Sequence, residues 1–394
     1  MLKRPPLPFI FTVTLTGILS NTLVTPAIPD ILDEFGVGAG EAGLLVAAGS
    51  VAGVVVAPVA GVLADRFGRR VILTASLVVF GTFGGLAALS PTFEILLLAR
   101  FLQGTGSAGL VNLAVVLIGD HWSGLDRTRL VGRNTAVLTV GLAAIPLVSG
   151  LVTQAAGWRV TFALYTIALG TAGVAWAVLD GRRPVAQPPL RAQLGQAVVV
   201  VRQPLVLATI VGSFLAFTLI FAVFLTVFPV HLAQRFGLEA GMRGVMISIP
   251  ALTSTLAAYN LGRIRAATSA RRTVILASVG MAVAFLFIGL TGSLLVAGAA
   301  ALLYGASSGS LVPTLQDLNI SGSPDEHRAA VVAVFVSAAR LGQTVGPLLA
   351  GLVVGLLGTG ATIATGSAAA LLLLALGVWG PFPRIAEATM TTRG

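Results

Sequence analysis

Few side chains in this 394-residue chain could do chemistry, and they are widely spaced. The sequence has 24 basic and 14 acidic residues, three histidines and no cysteine. Without cysteine, no thiol nucleophile, disulfide or thiolate metal site is available. The histidines (His121, His231 and His327) lie at the ends of separate apolar runs, which is poor material for a metal cluster. Neither an H-E-x-x-H zinc site nor a G-x-x-x-x-G-K-[ST] loop for ATP is present, so we predict no enzyme, cofactor or metal site.

The charged stretch with the most defined spacing follows the second long apolar run. Its pattern, G-x-x-x-D-R-x-G-R-R, is formed by Gly61, Asp65, Arg66, Gly68, Arg69 and Arg70. An acid at a helix end can accept hydrogen bonds from an arginine or from the N-terminus of a neighbouring helix. We predict a conformational latch, because a simple excess of positive charge as a topology signal does not explain Asp65 or the glycine spacing.

Two arginines, Arg100 and Arg340, lie well inside apolar runs. A charge in that position costs about 2.5–3.5 kcal/mol on insertion scales and usually faces the protein interior. Proton coupling needs a carboxylate that titrates during turnover, and Asp317 and Asp30 are the candidates. Asp317 is the nearest acid on the predicted helix that precedes Arg340, and we expect it to be the partner of Arg340 and the titrating group. For Arg100, pairing with a backbone carbonyl is the alternative to a coupling role.

Aromatic and polar side chains are the candidates for contact with a substrate. Five phenylalanines follow a 3-4-3-4 spacing along one helical face: Phe214, Phe217, Phe221, Phe224 and Phe228. Such a stripe is typical of helix packing or lipid contact. Alternatively, the rings line a cavity and stack on lipophilic or cationic molecules. The polar candidates, which would suit a hydroxylated substrate, are Asn21, Gln103, Asn112, Tyr304 and Gln343. A third group consists of Gly141, Pro146 and Gly150. These residues allow close approach of helices and a kink, which would suit a gate. The alternative interpretation is ordinary packing of small residues between helices.

The elements that must position these residues are membrane helices. Hydrophobic residues make up 56% of the chain and charged residues only 10%, whereas soluble domains average roughly 25% charged residues. This composition excludes a large soluble enzyme, and it excludes disorder, which needs low hydrophobicity and high charge. The net charge of +10 comes from short basic clusters between apolar runs, a pattern that indicates membrane topology and not nucleic-acid binding.

Twelve apolar runs are long enough to cross a bilayer, each with roughly 20 residues. With the N-terminus in the cytoplasm, 19 of the 24 basic residues fall in inside segments and three (Arg159, Arg235 and Arg243) fall outside. This asymmetry predicts twelve transmembrane helices with both termini cytoplasmic. We therefore expect an all-α, multi-pass protein of the cell's inner membrane.

An internal duplication divides the chain. At a constant offset of 201 residues, five positions match between the halves: Gly104 and Gly305, Arg127 and Arg328, Gly141 and Gly342, Pro146 and Pro347, and Gly150 and Gly351. We predict two pseudo-symmetric six-helix bundles, residues 1–180 and 204–394, joined by a cytoplasmic linker at 181–203. Repeated halves with a substrate site at their interface are typical of alternating-access transporters.

The pattern at residues 61–70 resembles the loop signature of the major facilitator superfamily, with every defining position present. Arg100, Gln103 and Gly104 resemble the fourth-helix signature of that family, whose arginine is associated with proton coupling. Gly141, Pro146 and Gly150 resemble the drug-antiporter signature of the fifth helix. Ile145 and Ser149 replace two of its glycines, which puts the antiport function in doubt. The resemblance extends from about residue 7 to residue 379.

This resemblance implies a monomeric transporter of the drug:proton antiporter branch, with protons, a small molecule and the lipid bilayer as its partners. Asp65 with its neighbouring arginines would stabilise the outward-facing state. The loop at 262–272 in the second half is basic but has no acid, so we expect a latch in the first half only. A facilitator or exporter of sugars or metabolites, without proton antiport, is the alternative. A membrane enzyme is the least favoured reading.

Overall fold

The computed structural model of the protein describes residues 4–181, 202–323 and 328–383. Within these ranges the backbone of residues 58–62, 65, 128 and 328–330 is described but their side chains are not. The described residues form helices and connecting turns, with no strand among them. Most of the predicted linker at 181–203 lies outside the described ranges.

Among the described residues, the first half of the chain contains eight α-helices. They are α1 (Leu7–Thr22), α2 (Ile28–Phe35), α3 (Ala42–Phe67), α4 (Arg69–Ala87), α5 (Phe93–Ser107), α6 (Leu110–His121), α7 (Gly124–Ala163) and α8 (Ile167–Val178). Short 3₁₀ turns at Thr25–Ala27 and Leu164–Thr166 join α1 to α2 and α7 to α8. These pairs therefore run on with little interruption.

Seven further α-helices follow in the part of the second half that the structure describes. They are α9 (Pro204–Leu219), α10 (Phe228–Phe236), α11 (Ala240–Tyr259), α12 (Leu261–Ala267), α13 (Ala270–Leu290), α14 (Leu294–Ser321) and α15 (Arg328–Trp379). A π-helical segment, Ile220–Val227, lies between α9 and α10.

Local sequence signals explain several helix ends. Pro204 occupies the first position of α9, where its missing N–H costs nothing. Thr92 and Ser269 cap α5 and α13, since their hydroxyl oxygens accept hydrogen bonds from the backbone N–H groups of Ile95 and Arg272. The interiors are apolar, and in lipid only a helix satisfies every backbone polar group within its own segment.

Nine helical stretches among the described residues are long and apolar enough to cross a membrane, and α11 with α12 adds a tenth if this bent pair is one span. Two of the nine, Gly124–Val178 with 55 residues and Val331–Trp379 with 49, each exceed twice the roughly 20 residues that one crossing needs. Each also bends sharply at a glycine, Gly157 or Gly358. Counting both as two crossings would reach twelve, which stays a prediction, as does the cytoplasmic placement of the termini.

The chain separates into two compact units. One comprises Met1–Gln187 with Glu239–Val245, and the other comprises Pro188–Leu238 with Met246–Gly394. Glu239–Val245, which includes the start of α11, thus groups with the first unit, whereas the sequence analysis assigns it to the second half. The predicted division into two six-helix bundles remains a proposal.

The offset of 201 residues extends to the backbone conformation. Gly36 and Gly237 end α2 and α10 with left-handed φ values of 63° and 64°. Gly157 and Gly358 bend α7 and α15 with φ values of 82° and 78°. Because both pairs differ by 201 positions, the two halves repeat their turns as well as their residues.

Gly358→Ala is expected to destabilise the protein, lowering its apparent melting temperature by several degrees. The φ of 78° and ψ of 171° at Gly358 lie in a region that is essentially restricted to glycine, so a Cβ adds about 1–3 kcal/mol of strain. Thermal unfolding in detergent would measure the change. Gly355→Ala is the matched control, because both sites have open space for a Cβ and Gly355 has no such φ. Equal melting temperatures for the two variants would contradict the prediction.

Candidate functional site

Arg100 on α5 lies in the centre of a polar cluster within the first unit. Its side chain is fully buried, and its Nη1 donates a hydrogen bond of 2.6 Å to Oε1 of Gln103. Its Nη2 donates to Oδ1 of Asn21 on α1 at 3.0 Å, and Nδ2 of Asn21 donates to Oγ of Ser50 on α3 at 3.1 Å. The cluster therefore ties together α1, α3 and α5.

Tyr165 closes the cluster on the side of the turn between α7 and α8. Its hydroxyl lies 3.5 Å from Nη1 of Arg100 and donates towards the backbone carbonyls of Leu19 and Ser20 at 3.2 and 3.0 Å. Arg100 forms no ion pair with any described residue, and its Nε and the Nε2 of Gln103 are buried without a hydrogen-bond partner there. The cation is held by amide and hydroxyl oxygens alone, so the predicted backbone-carbonyl partner is not observed.

Two glycines make room for this cluster. A Cβ on Gly49 of α3 would lie 2.5 Å from Nη2 of Arg100, and one on Gly84 of α4 would lie 2.7 Å from Nε2 of Gln103. Real Cβ atoms are not found that close to neighbouring heavy atoms, so larger residues would displace the arginine or the glutamine. The space around the buried charge is thus set by backbone as well as by polar partners.

The loop between α3 and α4 brings two of the predicted latch arginines to different neighbours. Nε of Arg69 is 3.1 Å from Oδ2 of Asp120 at the end of α6. The guanidinium of Arg70 lies over the Trp176 ring of α8 at 4.1 Å. Arg66 is exposed, and Gly68 joins the two helices with a φ of 92°. The side chain of Asp65 and the surroundings of Gly61 lie outside the part of the chain that the structure describes.

Asp120→Asn is expected to reduce the transport rate several-fold while leaving the melting temperature within a few degrees of the unchanged protein. The Arg69–Asp120 pair is partly exposed, so its stability contribution is about 0–1 kcal/mol, whereas a latch acts by favouring one conformation. Rates of uptake into proteoliposomes would measure the effect. Asp126→Asn, which removes the fully solvated pair with Arg129, is the control and should transport normally. Equal rates for the two variants would remove Asp120 from the latch.

The residues of the predicted gate on α7 make close backbone contacts. A Cβ on Gly141 would lie 2.5 Å from Cδ1 of Ile18 on α1. A Cβ on Gly150 would lie 3.0 Å from the Cα of Gly244, and one on Gly244 would lie 2.5 Å from the carbonyl oxygen of Pro146. Small residues at these positions therefore let α7 touch both α1 and the segment Glu239–Val245. Ser149, which replaces a signature glycine, donates its hydroxyl to the carbonyl of Leu23.

Asp30, a predicted proton-coupling residue on α2, forms an ion pair with Arg243. The Arg243 side chain is 4% exposed and the Asp30 side chain 42%. Nε of Arg243 also donates to the carbonyl of Pro26 at 3.0 Å. The pair therefore fastens Glu239–Val245 to the α1–α2 connection of the first unit.

In the second unit, Asp317 pairs with Arg265 of α12 and not with Arg340 as expected. The Asp317 side chain is 55% exposed, and the Arg265 side chain is 10% exposed. Arg340 lies half-buried on α15. The basic loop at 262–272 was expected to have no acid partner, because it contains no acid itself. The structure supplies one from α14, where Asp317 pairs with Arg265.

The predicted phenylalanine stripe crosses the π-helical segment Ile220–Val227, which alters its register. Phe214, Phe217 and Phe221 are half-buried. Phe224 is buried and stacks on Tyr304 of α14, with ring centroids 4.4 Å apart. A strict 3-4-3-4 spacing lies on one face only in an α-helix, because a π turn adds a residue. The Tyr304 ring is thus covered by aromatic neighbours of its own unit.

The remaining polar candidates differ in their surroundings. Gln343 is half-buried on α15, and Asn112 is exposed on α6. Around Gln343, Gly342 and Gly346 bring α15 against the backbone of α9, since their Cβ atoms would lie 2.5 Å from the carbonyl of Phe214 and 2.6 Å from that of Thr218. Three of the predicted site residues, Asn21, Gln103 and Arg100, are joined to one another by hydrogen bonds.

Sequence reasoning missed several partners of these residues. Tyr165 was not predicted, although it is one of only three tyrosines in the chain. Arg243 and Arg265 were counted only as topology signals. All three are polar residues near a helix end, and this position was the signal that the sequence offered. The partner of each lies on a helix that is distant in sequence, so the signal did not identify it.

The chain matches known proteins along most of its length. Residues 10–336 match the profile of the family described as Major Facilitator Superfamily. The hexuronate transporter of Bacillus subtilis (strain 168) is 27% identical over 261 residues, which cover 63% of this chain and 61% of that protein. Multidrug resistance protein 1 of the same organism is 25% identical over 258 residues, which cover 62% of this chain and 64% of that protein. The matches thus span less than two thirds of these relatives.

Among solved structures, a bacterial homolog to the human lysosomal transporter Spinster, in an inward-facing and occupied conformation, superposes with a TM-score of 0.77. The superposition covers 98% of this chain and 96% of that one, at 16% sequence identity. At such low identity the similarity demonstrates a shared fold alone.

Proposed function

The chain belongs to the major facilitator superfamily, and from this premise we propose that it exports a lipophilic or amphipathic small molecule in exchange for protons. The family consists of membrane transporters that bind small-molecule substrates, so the protein is a multi-pass membrane transporter and not an enzyme. In the proposal, a monomer in the inner membrane works by alternating access.

The packing of α7 carries the proposal. Gly141 brings this helix against side chains of α1, and Pro146 and Gly150 bring it into backbone contact with Glu239–Val245, as a gate helix of the antiporter type would require. The similarity to a multidrug resistance protein also supports the proposal of an exporter. Ser149 replaces a glycine without opening this contact, because its hydroxyl bonds to α1's neighbouring carbonyl at Leu23.

Each group of residues has a role in this mechanism. Asp65, Arg66, Arg69 and Arg70, with Asp120 added, form the conformational latch. The proton-coupling set consists of Arg100, Asp30, Asp317 and Arg340. The two acids bind and release protons as their ion pairs with arginine break and form. The substrate contacts come from Asn21, Gln103, Asn112, Phe214, Phe217, Phe221, Tyr304 and Gln343.

A carrier of sugars or other metabolites, without proton antiport, is the second candidate. The match to a hexuronate transporter, similar in length and identity to the multidrug match, favours it. The half-exposed amide of Asn21 beside Arg100 would then bind hydroxyl or acid groups of the substrate.

Proteoliposomes containing an entrapped pH dye would separate the two candidates. Lipophilic cations and glucuronate would be added in turn, and proton movement and uptake of radiolabelled substrate would be followed together. Proton flux that depends on the cation and is lost in Asp30→Asn or Asp317→Asn supports antiport. Glucuronate uptake without proton flux would replace the proposal with the second candidate. Asp126→Asn, outside the coupling set, is the matched control.

A further inference from the structure

A polar pocket of about 350 Å³ lies within the second unit, where α10 and α13 end and α15 bends. It is lined by His231, Gln234, Arg235, Gly289, Leu290, Thr359 and Gly360. His231 is only 3% exposed, and its Nδ1 is 3.1 Å from Oγ1 of Thr359, which in turn donates to Oε1 of Gln234 at 3.3 Å. Nε2 of the same imidazole is buried without a hydrogen bond to any described residue.

The same place in the first unit contains an ion pair. Glu34 accepts hydrogen bonds from Nη2 of Arg159 at 2.7 Å and from Nε1 of Trp158 at 2.5 Å. Nη1 of Arg159 donates to the carbonyls of Ala88 and Ser90 at 2.8 and 3.1 Å. The arginine side chain thus fills the space between α2, the end of α4 and the bend of α7.

The 201-residue offset shows how the second unit departs from this arrangement. It places Arg235 at the position of Glu34, Gly360 at the position of Arg159, and Gly289 at the position of Ala88. The acid has become a cation, and the arginine that filled the space has become a glycine. The pocket therefore lies where the first unit has the Arg159 side chain, and its own charge has the opposite sign.

The charges around the pocket select its ligand. Arg235 is the charged residue of the lining, and α13 and α15 contribute only Gly289, Leu290, Thr359 and Gly360, which are uncharged. Arg235 forms no ion pair with any described residue. The lining thus offers a guanidinium, a hydroxyl and an amide, the groups that hold carboxylate and phosphate oxygens.

We propose that this pocket binds an oxyanion, a carboxylate or a phosphate, through Arg235, Gln234 and Thr359, and that His231 strengthens the binding when protonated. The anion occupies the space that the Arg159 side chain fills in the first unit. It pairs with Arg235, which stands at the position of Glu34. Histidine is the side chain that gains a charge between pH 5 and 8. A free anion and the phosphate of a lipid headgroup share this chemistry, because both present phosphate or carboxylate oxygens to the same donors.

Sulfate is the probe, because its charge is constant between pH 5.5 and 8. The full chain in phosphatidylcholine nanodiscs, labelled with ¹⁵N-histidine, would be titrated with sulfate against chloride at equal ionic strength. His231→Gln identifies the His231 resonances among those of the three histidines. We expect saturable shifts of the His231 resonances, with weaker binding at pH 8 than at pH 5.5, because a bound anion favours the charged form of the imidazole. The measurement involves no substrate or proton gradient, so it can fail or succeed independently of the proposed transport.

Variants make the assignment specific. Arg235→Gln is expected to weaken sulfate binding at least tenfold, whereas Arg263→Gln, at an exposed arginine of the same unit, should leave it unchanged. The charge reversal Arg235→Glu, which restores at this position the sign of Glu34 in the first unit, should abolish binding. Sulfate shifts that persist in both Arg235 variants would reduce the probe to an adventitious ion and overturn the proposal, as would the absence of any shift.

Nanodiscs containing phosphatidylglycerol distinguish the source of the anion. If the His231 resonances are already displaced there, and Arg235→Gln reverses the displacement, the occupant is a lipid phosphate. If sulfate still binds with unchanged affinity in that membrane, the occupant is a free anion.

Discussion

Arg100→Lys is expected to lower substrate-dependent transport about 100-fold or more. The guanidinium reaches Gln103 and Asn21 with separate nitrogens, at 2.6 and 3.0 Å. A lysine ammonium has one nitrogen on a flexible stem and cannot reproduce that fork. Two hydrogen bonds from a charged donor contribute about 1.5 kcal/mol each, so their loss amounts to about 3 kcal/mol, or about two powers of ten. The flux assay in proteoliposomes would measure the change.

Two companion variants test whether the cluster itself is responsible. Arg133→Lys, at an exposed arginine of α7, should transport normally. Tyr165→Phe removes only the 3.5 Å contact to Arg100 and the hydroxyl's bonds to α1, so we expect a smaller loss than for Arg100→Lys. Normal transport by Arg100→Lys would mean that a buried cation is needed only for its charge, and the proposed geometry would have no functional role.

Asp30→Asn is expected to destabilise the protein more than Arg243→Gln does. Arg243 is buried and Asp30 is nearly half-exposed. Removing the acid leaves a buried guanidinium without the carboxylate it faces, whereas removing the arginine leaves an acid that water can solvate. After allowance for the exposure of Asp30, we expect a difference of about 1–3 kcal/mol. Melting temperatures in detergent would detect it as several degrees.

Equal destabilisation by Asp30→Asn and Arg243→Gln would contradict the burial argument.

The fold was largely predictable because its signals are local. The apolar runs, the loop pattern at residues 61–70 and the 201-residue repeat can be read without knowing any contact between distant segments. The superfamily follows from these signals and is confirmed by the profile match. The repeat proved more informative than its five matched residues, since it also relates the bends at Gly157 and Gly358.

The site was less predictable because its partners come from distant helices. Gln103 lies three residues from Arg100 and therefore on the same helical face, and it was grouped with Arg100 from sequence. Tyr165 contacts the same arginine across 65 positions, which no spacing rule predicts. Asp317 was assigned to Arg340 by proximity in sequence, but the structure pairs it with Arg265 across 52 positions.

The phenylalanine stripe shows a different limit. Its spacing assumes 3.6 residues per turn throughout, but Ile220–Val227 is π-helical. The wider turn directs Phe224 to Tyr304 within the second unit, while Phe214 remains half-buried. Hydrophobic sequence alone does not distinguish a π turn from an α turn, because both bury the same residue types.

The glycine bends also bear on how the chain is built into the membrane. At Gly157 and Gly358 a single residue separates two helical segments, so the connection between them is very short. A ribosome-bound chain could not complete the first segment and leave the second waiting outside the bilayer, since the apolar side chains of both would face water. Each bent helix is therefore expected to enter the lipid as a preformed hairpin, and a tag inserted at either bend would block assembly and not merely report on topology.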